Sequence, residues 1–463
     1  MKFLFLYILP PSNVCYTKYN SGIASLSAVL KQKGHQTELF LVDKFDREKL
    51  NISIEKFQPD IIGYSFVSQQ KELAHEIIGY IANSHKIPSI IGGVHATVAP
   101  EECLSIEGVL GVCVGEAELA LTNFLDAYTE EHDFYKTPNF YFKQNGKIVR
   151  NPLFPLIQDL DALPFPDRKL FCYNPAEAML GLEFFFSRGC PYQCSYCINW
   201  HLQKLYKGKG PYVRFRSPES VIKEIQETVA LYNYQGMLTF HDDVFTLKES
   251  WLRQFAILYH NNVGLPYRCN STAGKIDEEV AQYLKDSHCQ EVWFGIETGF
   301  EELRSTVLNK RTLDEDIFRA GRILNEFGIS PCSFNMLGIP GESEDNINRL
   351  IEINIKAGVK KVDVGIIQPY PGTAIYEQGK KNDTLIEHNA PSATMKGIKN
   401  LNISDSLLYK YFYLFNHYIF GGKFFHLLDF LLKFTFFQWV KRKAQLLPPK
   451  VKNYILLHFL RGY

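Results

Sequence analysis

Five short, continuous apolar runs within the first 131 residues constrain this chain more than any other feature. "KFLFLYI", "TELFLVD", "PDIIGYSF", "IPSIIGGVH" and "GVLGVCVGE" have no polar face, as befits strands covered by helices on both sides. Between them lie segments such as "SGIASLSAVLKQKG" and "KELAHEIIGYIANSH", with apolar residues at helical spacing. Asn20 or Ser21 caps the first of these, and Gly34 ends it. The alternation predicts an α/β fold whose N-terminal part, residues 1–131, is a doubly wound, Rossmann-like parallel sheet. Such sheets keep their ligands at the carboxyl ends of the strands. Residues 132–181 break the rhythm. "NFYFKQNGKIVRN" reads as a hairpin turning at Asn145-Gly146, and "LPFPDR" as a proline-stiffened linker.

Alternation resumes over 182–384. "LEFFFSRG", "MLTFHDD", "PYRCNST", "EVWFGIETG", "SPCSFNMLGI" and "KVDVGIIQPY" are strand candidates, with helices between them. One helix opens on a Ser217 cap with Pro218 in its first turn. Six strand–helix units predict a partial (β/α)6 barrel of the TIM type, two units short of closure. Residues 385–463 read as an aromatic-rich helical C-terminal region, with "LLYKYFYLFNHYIF" and "KFFHLLDFLLKFTFFQWVKRK" thick in Phe and Leu. Two readings stand there: a helical cap on the barrel, or an amphipathic helix at a membrane surface or lining a greasy channel.

Composition narrows the function classes. The 463 residues carry 50 basic and 50 acidic side chains, so no net field attracts nucleic acid, and none is expected as a partner. "MKFLFLYILPP" has a short apolar part and no small-residue cleavage site, and reads as a buried first strand rather than a leader. No run reaches the ~18 apolar residues of a membrane span. Ten scattered cysteines argue for a reducing compartment, and a cytoplasmic location is expected.

Three of those cysteines stand apart. "FFFSRGCPYQCSYCINW" places Cys190, Cys194 and Cys197 at C-x3-C-x2-C spacing behind the first barrel strand, with Gly189 and Pro191 favouring a bend. A disulfide would strand one thiol. A structural zinc would need a fourth ligand, for which His201 is at hand. An iron–sulfur cube fits a third way, with three irons on thiolates and the fourth open. Strand ends of barrels carry chemistry, which suits an open iron.

With Tyr196 before the last cysteine, this motif resembles that of the radical S-adenosylmethionine superfamily. The resemblance covers roughly 182–372. It implies a [4Fe-4S] cluster on Cys190, Cys194 and Cys197 whose open iron binds S-adenosylmethionine and cleaves it reductively to a 5′-deoxyadenosyl radical. An electron donor such as flavodoxin or ferredoxin is then implied. Tyr196, Asp242, Asp243 and Glu297 become candidate cofactor contacts, as do Gly338, Pro340 and Gly341 of "GIPGES"; simple turn chemistry is the alternative for that last motif. The front sheet resembles the cobalamin (B12)-binding domain found ahead of the barrel in one class of this superfamily. The matching stretches are "GGVHATVAPEE", "GEAE" and "DLDALPFPDR". This makes Gly92, Gly93, His95, Gly115 and Glu116 candidate contacts to cobalamin. The D-x-H-x-x-G motif for a lower axial histidine is absent, and His95 is the lone histidine at hand.

The function implied is cobalamin-dependent methylation of an unactivated carbon on a small-molecule substrate. Cyclisation or rearrangement on the same scaffold is an alternative. A methylthiotransferase would need a second cluster on Cys15, Cys103 and Cys113. A non-enzymatic reading is a zinc-stabilised binding protein using the three thiols and His201.

Overall fold

The structure, a computed structural model, describes residues 1–9, 18–130, 132–172, 174–176, 178–390, 393–398 and 402–421. All five front runs form parallel strands: β1 (Lys2–Ile8), β2 (Gln36–Val42), β3 (Ile61–Ser65), β4 (Ser89–Gly92) and β5 (Val109–Cys113). Their order is β2-β1-β3-β4-β5, a doubly wound topology. Asn20 accepts from the Ile23 N–H and caps the first helix, Ser21–Gln32. Two apolar layers cover the sheet, one built on Leu4, Leu6 and Ile62, the other on Phe3, Phe5 and Phe124.

The hairpin expected in the linker belongs instead to the front sheet. β6 (Phe140–Gln144) pairs antiparallel with β5, and β7 (Lys147–Arg150) extends the edge. Phe140 and Phe142 are the reason: both bury against Phe124 of the last front helix, and a free hairpin would leave them in water.

In the second half, β8 (Leu182–Phe184) begins a parallel half-barrel. A short ladder of β9 (Ser187–Arg188) with β10 (Arg214–Phe215) follows. The barrel continues through β11 (Leu238–Phe240), β12 (Tyr267–Ser271), β13 (Cys289–Glu297), β14 (Ser330–Leu337) and β15 (Lys361–Ile366). Neighbours pair in sequence order from β8 to β15, without closure. Alternate residues, including Phe184, Phe240, Cys269 and Phe294, pack against the outer helices, and those between them face the lumen.

Where the helical C-terminal region was expected to open, Leu385–Ala390 (β16) and Ala393–Ile398 (β17) pair instead as antiparallel strands. The helix Asp405–Phe420 follows. It buries Leu408, Tyr411, Leu414, Phe415 and Tyr418 in the barrel's outer core, as the cap reading expects. The aromatic stretch beyond residue 421 lies outside the described residues. Among the described residues no helix is long and apolar enough to cross a membrane.

Candidate functional site

Sheet and barrel face each other across a cavity of about 640 Å³. On one side are the carboxyl ends of β3, β4 and β5, including Gly92, Gly93, Gly115 and Glu116. On the other are Phe185, Arg188, Asn199 and Asp243 of the barrel mouth. On the sheet side the backbone itself requires glycine at Gly93. Gly93 has φ +87°, and a Cβ there would lie 2.9 Å from Ser65 Oγ. At Gly92 a Cβ would meet open space, so a side chain would occupy the cavity itself.

The cavity is held together by ion pairs on the "GEAE" loop. Arg214 forks onto the Glu116 carboxylate, with Nη1 at 3.1 Å from Oε2. Arg188 reaches both Glu116 and Glu118. The Glu116 N–H donates to Tyr206 Oη at 2.6 Å. Burial penalises the Glu118 carboxylate, but the Arg188 guanidinium beside it prevails and holds its pKa below the ordinary value. Glu116, a candidate ligand by sequence, therefore has its carboxylate engaged in docking the two halves, while its loop lines the cavity. The linker does similar work: Asp161 accepts from the Ser217 N–H and Asp167 from Ser27 and Lys31.

The three thiols sit on the loop after β8. Gly189 enters it at φ +86°, where a Cβ would strike the Tyr212 carbonyl at 2.4 Å. The turn Cys194–Cys197 closes on a 3.1 Å backbone bond, and Ser195 anchors it through its N–H and hydroxyl to the Leu308 and Val307 carbonyls. Burial pushes the Cys190 thiol up to about 12 and raises Cys194 and Cys197 as well. Among the described residues no three His, Cys, Asp or Glu side chains close on a single-ion site. His201 meets the Thr97 backbone and packs against Gly372. The zinc arrangement of three thiolates and His201 is therefore not formed. A four-iron cube, whose thiolates hold separate irons, is not bound to one ligand point.

Around this loop the acidic candidates separate. Asp242 turns inward: its Oδ1 accepts from the Phe186 N–H at 3.0 Å and from the Ser187 N–H and hydroxyl. It fixes the strand end rather than facing the cavity, and burial lifts its pKa to about 6. Asp243 lines the cavity and accepts from Asn199 Nδ2 at 3.1 Å. Asn199 also approaches Cys197 Sγ at 3.5 Å and accepts from the Tyr212 hydroxyl at 2.6 Å. Glu297 sits at φ +68° with Oε1 shared between the Tyr196 hydroxyl, 2.9 Å, and Lys310, 3.1 Å. Burial opposes the Lys310 ammonium, yet Glu297 keeps its pKa above the usual lysine value. Tyr196 is thus a peg between the thiol loop and β13.

In "GIPGES", Gly338 and Gly341 have φ +80° and +84°, and Pro340 lies half-buried between them. A Cβ on Gly338 would touch Leu408 of the capping helix at 3.3 Å. Glu342 closes the turn by accepting from the Gly338 N–H at 2.6 Å. These contacts give the motif a turn role.

His95 is not at the cavity. It is buried behind β4, with Nδ1 2.9 Å from Ser68 Oγ and Nε2 3.9 Å from Glu102. Burial lowers its pKa. Cys103 and Cys113 lie in the two opposite apolar layers of the front sheet, so they cannot share one cluster. Cys15 lies outside the described residues. Asn199, Tyr212, Lys310, Arg188 and Arg214 escaped the reading of the sequence. Asn199, two residues past the last thiol, had the one positional signal.

Comparisons agree with this geometry. Residues 184–353 match the family described as the Radical SAM superfamily, and residues 13–125 match the B12 binding domain. An uncharacterised methyltransferase of Pyrococcus horikoshii is 26% identical over 403 residues, covering 83% of this chain and 84% of that one. An anaerobic magnesium-protoporphyrin IX monomethyl ester cyclase of Cereibacter sphaeroides is 24% identical over 377 residues, 77% of this chain and 59% of the cyclase. The fold matches that of the radical S-adenosylmethionine methyltransferase TsrM from Kitasatospora setae, solved with cobalamin and a [4Fe-4S] cluster. The TM-score is 0.69 at 18% identity, over 87% of this chain and 83% of that one.

Proposed function

We propose, from the Radical SAM match over residues 184–353 and the B12 binding match over residues 13–125, that this chain is a cobalamin-dependent radical S-adenosylmethionine methyltransferase acting on an unactivated carbon of a small molecule. One observation carries the reading: the glycine-lined strand ends and the residues flanking the thiol loop, Gly189, Ile198 and Asn199, line the same cavity. A corrin above Gly92 and Gly93 and a cluster on Cys190, Cys194 and Cys197 would share one chamber. Bound there, the cluster with S-adenosylmethionine supplies hydrogen-abstracting chemistry, and cobalamin supplies the methyl group.

The chain's own residues prepare that chamber. Asp242 pins Phe186 and Ser187, and so sets where the thiol loop begins. Asp243 presents a carboxylate oriented by Asn199, a fitting partner for an ammonium group. Arg188, Arg214, Glu116 and Glu118 clamp the halves together. Among the described residues no histidine lines the sheet side of the cavity, and the residues that would hold a corrin there are the glycines of the strand ends, through backbone contact. A one-electron donor of the flavodoxin or ferredoxin type completes the proposal.

Anaerobic purification with iron, sulfide and corrinoid assays tests the reading. About four irons and one corrinoid per chain are expected, with a Co(II) spectrum free of nitrogen superhyperfine splitting. One tightly bound zinc, or no corrinoid uptake, overturns it. The likeness to the cyclase favours a second reading, oxidative cyclisation. Methyl-labelled S-adenosylmethionine distinguishes the two, since only methyl transfer moves label into product.

A further inference from the structure

The lumen of the half-barrel has two layers that register defines. In the lower layer Glu183 pairs with Thr239, Thr239 with Arg268, and Arg268 with Glu291. This layer is charged and internally bonded: Glu291 accepts from Lys361 and from Trp293 Nε1 at 3.1 Å, and lies 4.0 Å from Arg268. It forms a floor. Two residues further along each strand, on the same face, come Phe185, His241, Asn270 and Trp293.

This second layer is an aromatic shelf left partly bare. Phe185 is 45% exposed where it lines the cavity. Its ring stacks on the His241 imidazole, with centroids 5.2 Å apart and planes 23° apart. Trp293 packs against Phe334 one layer higher. An exposed phenylalanine inside a chamber is a surface awaiting an apolar partner. His241 gives the shelf direction. Its Nε2 lies 2.8 Å from Glu183 Oε2, and its side chain is 25% exposed. A carboxylate can only accept, so Nε2 bears the proton, and in the neutral tautomer that this contact selects, Nδ1 is an acceptor. Among the described residues no hydrogen bond from Nδ1 is formed.

We propose that this shelf seats a flat ring of the substrate on Phe185, and that His241, held by Glu183, accepts a hydrogen bond from an O–H or N–H on that ring's edge. The inference rests on the reading of the cavity as an active site, and it narrows the substrate to planar compounds with a polar donor. His241 is then a substrate-orienting contact.

Phenol and toluene share a ring and differ in the donor, so they serve as probes of the full chain reconstituted with iron and sulfide. Titration calorimetry should show phenol bound about three- to tenfold more tightly than toluene. Phenol should also shift a ring-13C histidine signal that disappears in His241→Phe. In that variant the phenol preference should fall to within about twofold while toluene affinity holds. Glu183→Gln, in which the amide can donate to Nε2 and move the ring proton to Nδ1, should also erode the preference. Equal affinity in the wild type, a preference surviving His241→Phe, loss of toluene binding in that variant, or no binding of either compound overturns the proposal. Iron and corrinoid contents, measured on the same samples, report separately on the functional reading.

Discussion

The front sheet and the barrel meet at one cavity, but they offer it opposite kinds of surface. The sheet presents backbone at Gly92, Gly93 and Gly115, whereas the barrel presents the side chains of Arg188, Asn199 and Asp243 beside the thiol loop. A glycine-lined edge recognises a ligand by room and contact, a side-chain edge by bonds to particular atoms. The two sites should therefore fail separately. Cys197→Ala has the largest expected effect: complete loss of the brown chromophore and of reductive cleavage of S-adenosylmethionine, with corrinoid uptake retained. Loss of both together would show that the halves do not bind independently.

Next in size is the clamp. Glu118 is buried against Arg188 and Ser25. Glu118→Ala leaves the guanidinium with Glu116 alone, at a cost of about 2 kcal/mol. Lower Tm and faster proteolysis between residues 150 and 182 are expected, and an unchanged Tm would remove the clamp from the account. Third is the sheet edge. Gly92→Leu fits the backbone at φ −135° and should fill the cavity, weakening hydroxocobalamin binding about tenfold or more, ~1.4 kcal/mol, while iron content stays at wild type. Normal corrinoid affinity in this variant would place the ligand elsewhere.

The same contrast explains what the sequence made legible. Strands buried on both faces announce themselves, because every residue of "KFLFLYI" must be apolar. The thiol loop was legible because three cysteines at fixed spacing have few uses. Glu116 and Asp242 were harder. Each stands in a motif beside a ligand-bearing strand end, yet Glu116 meets Arg214 and Asp242 meets Ser187, partners brought by topology alone. Asp242 and its neighbour Asp243 are adjacent in sequence but face opposite ways, which only strand direction decides. Residues 385–398 went astray through weak periodicity, where "LIEHNA" and "ATMKGI" pair as strands. His95 drew notice as a lone histidine, while His241, beside two aspartates, was hidden by them.

The smallest effect tests whether the barrel's last motif is turn chemistry. Glu342 is fully buried, Oε2 accepts from the Gly338 N–H, and Oε1 has no partner. Burial pushes its carboxyl up to about 8, against a reference of 4.5, despite the pull of the Gly338 and Ile339 N–H groups. Between those values the folded chain binds the proton that the unfolded chain has lost, so stability falls as pH rises. The contribution is complete below about 4.5 and gone once pH passes about 8. Glu342→Gln keeps the acceptor for Gly338 and removes the charge. Its Tm should therefore approach or trail that of wild type at pH 4 and exceed it at pH 9, by the equivalent of about 1 kcal/mol. Iron content should not change, since the side chain holds a turn and no cofactor. A Tm difference flat across pH would show that the carboxyl is not ionised against its surroundings. Loss of S-adenosylmethionine binding at intact Tm would make the turn a cofactor contact after all, and would move the barrel's recognition surface out to β14.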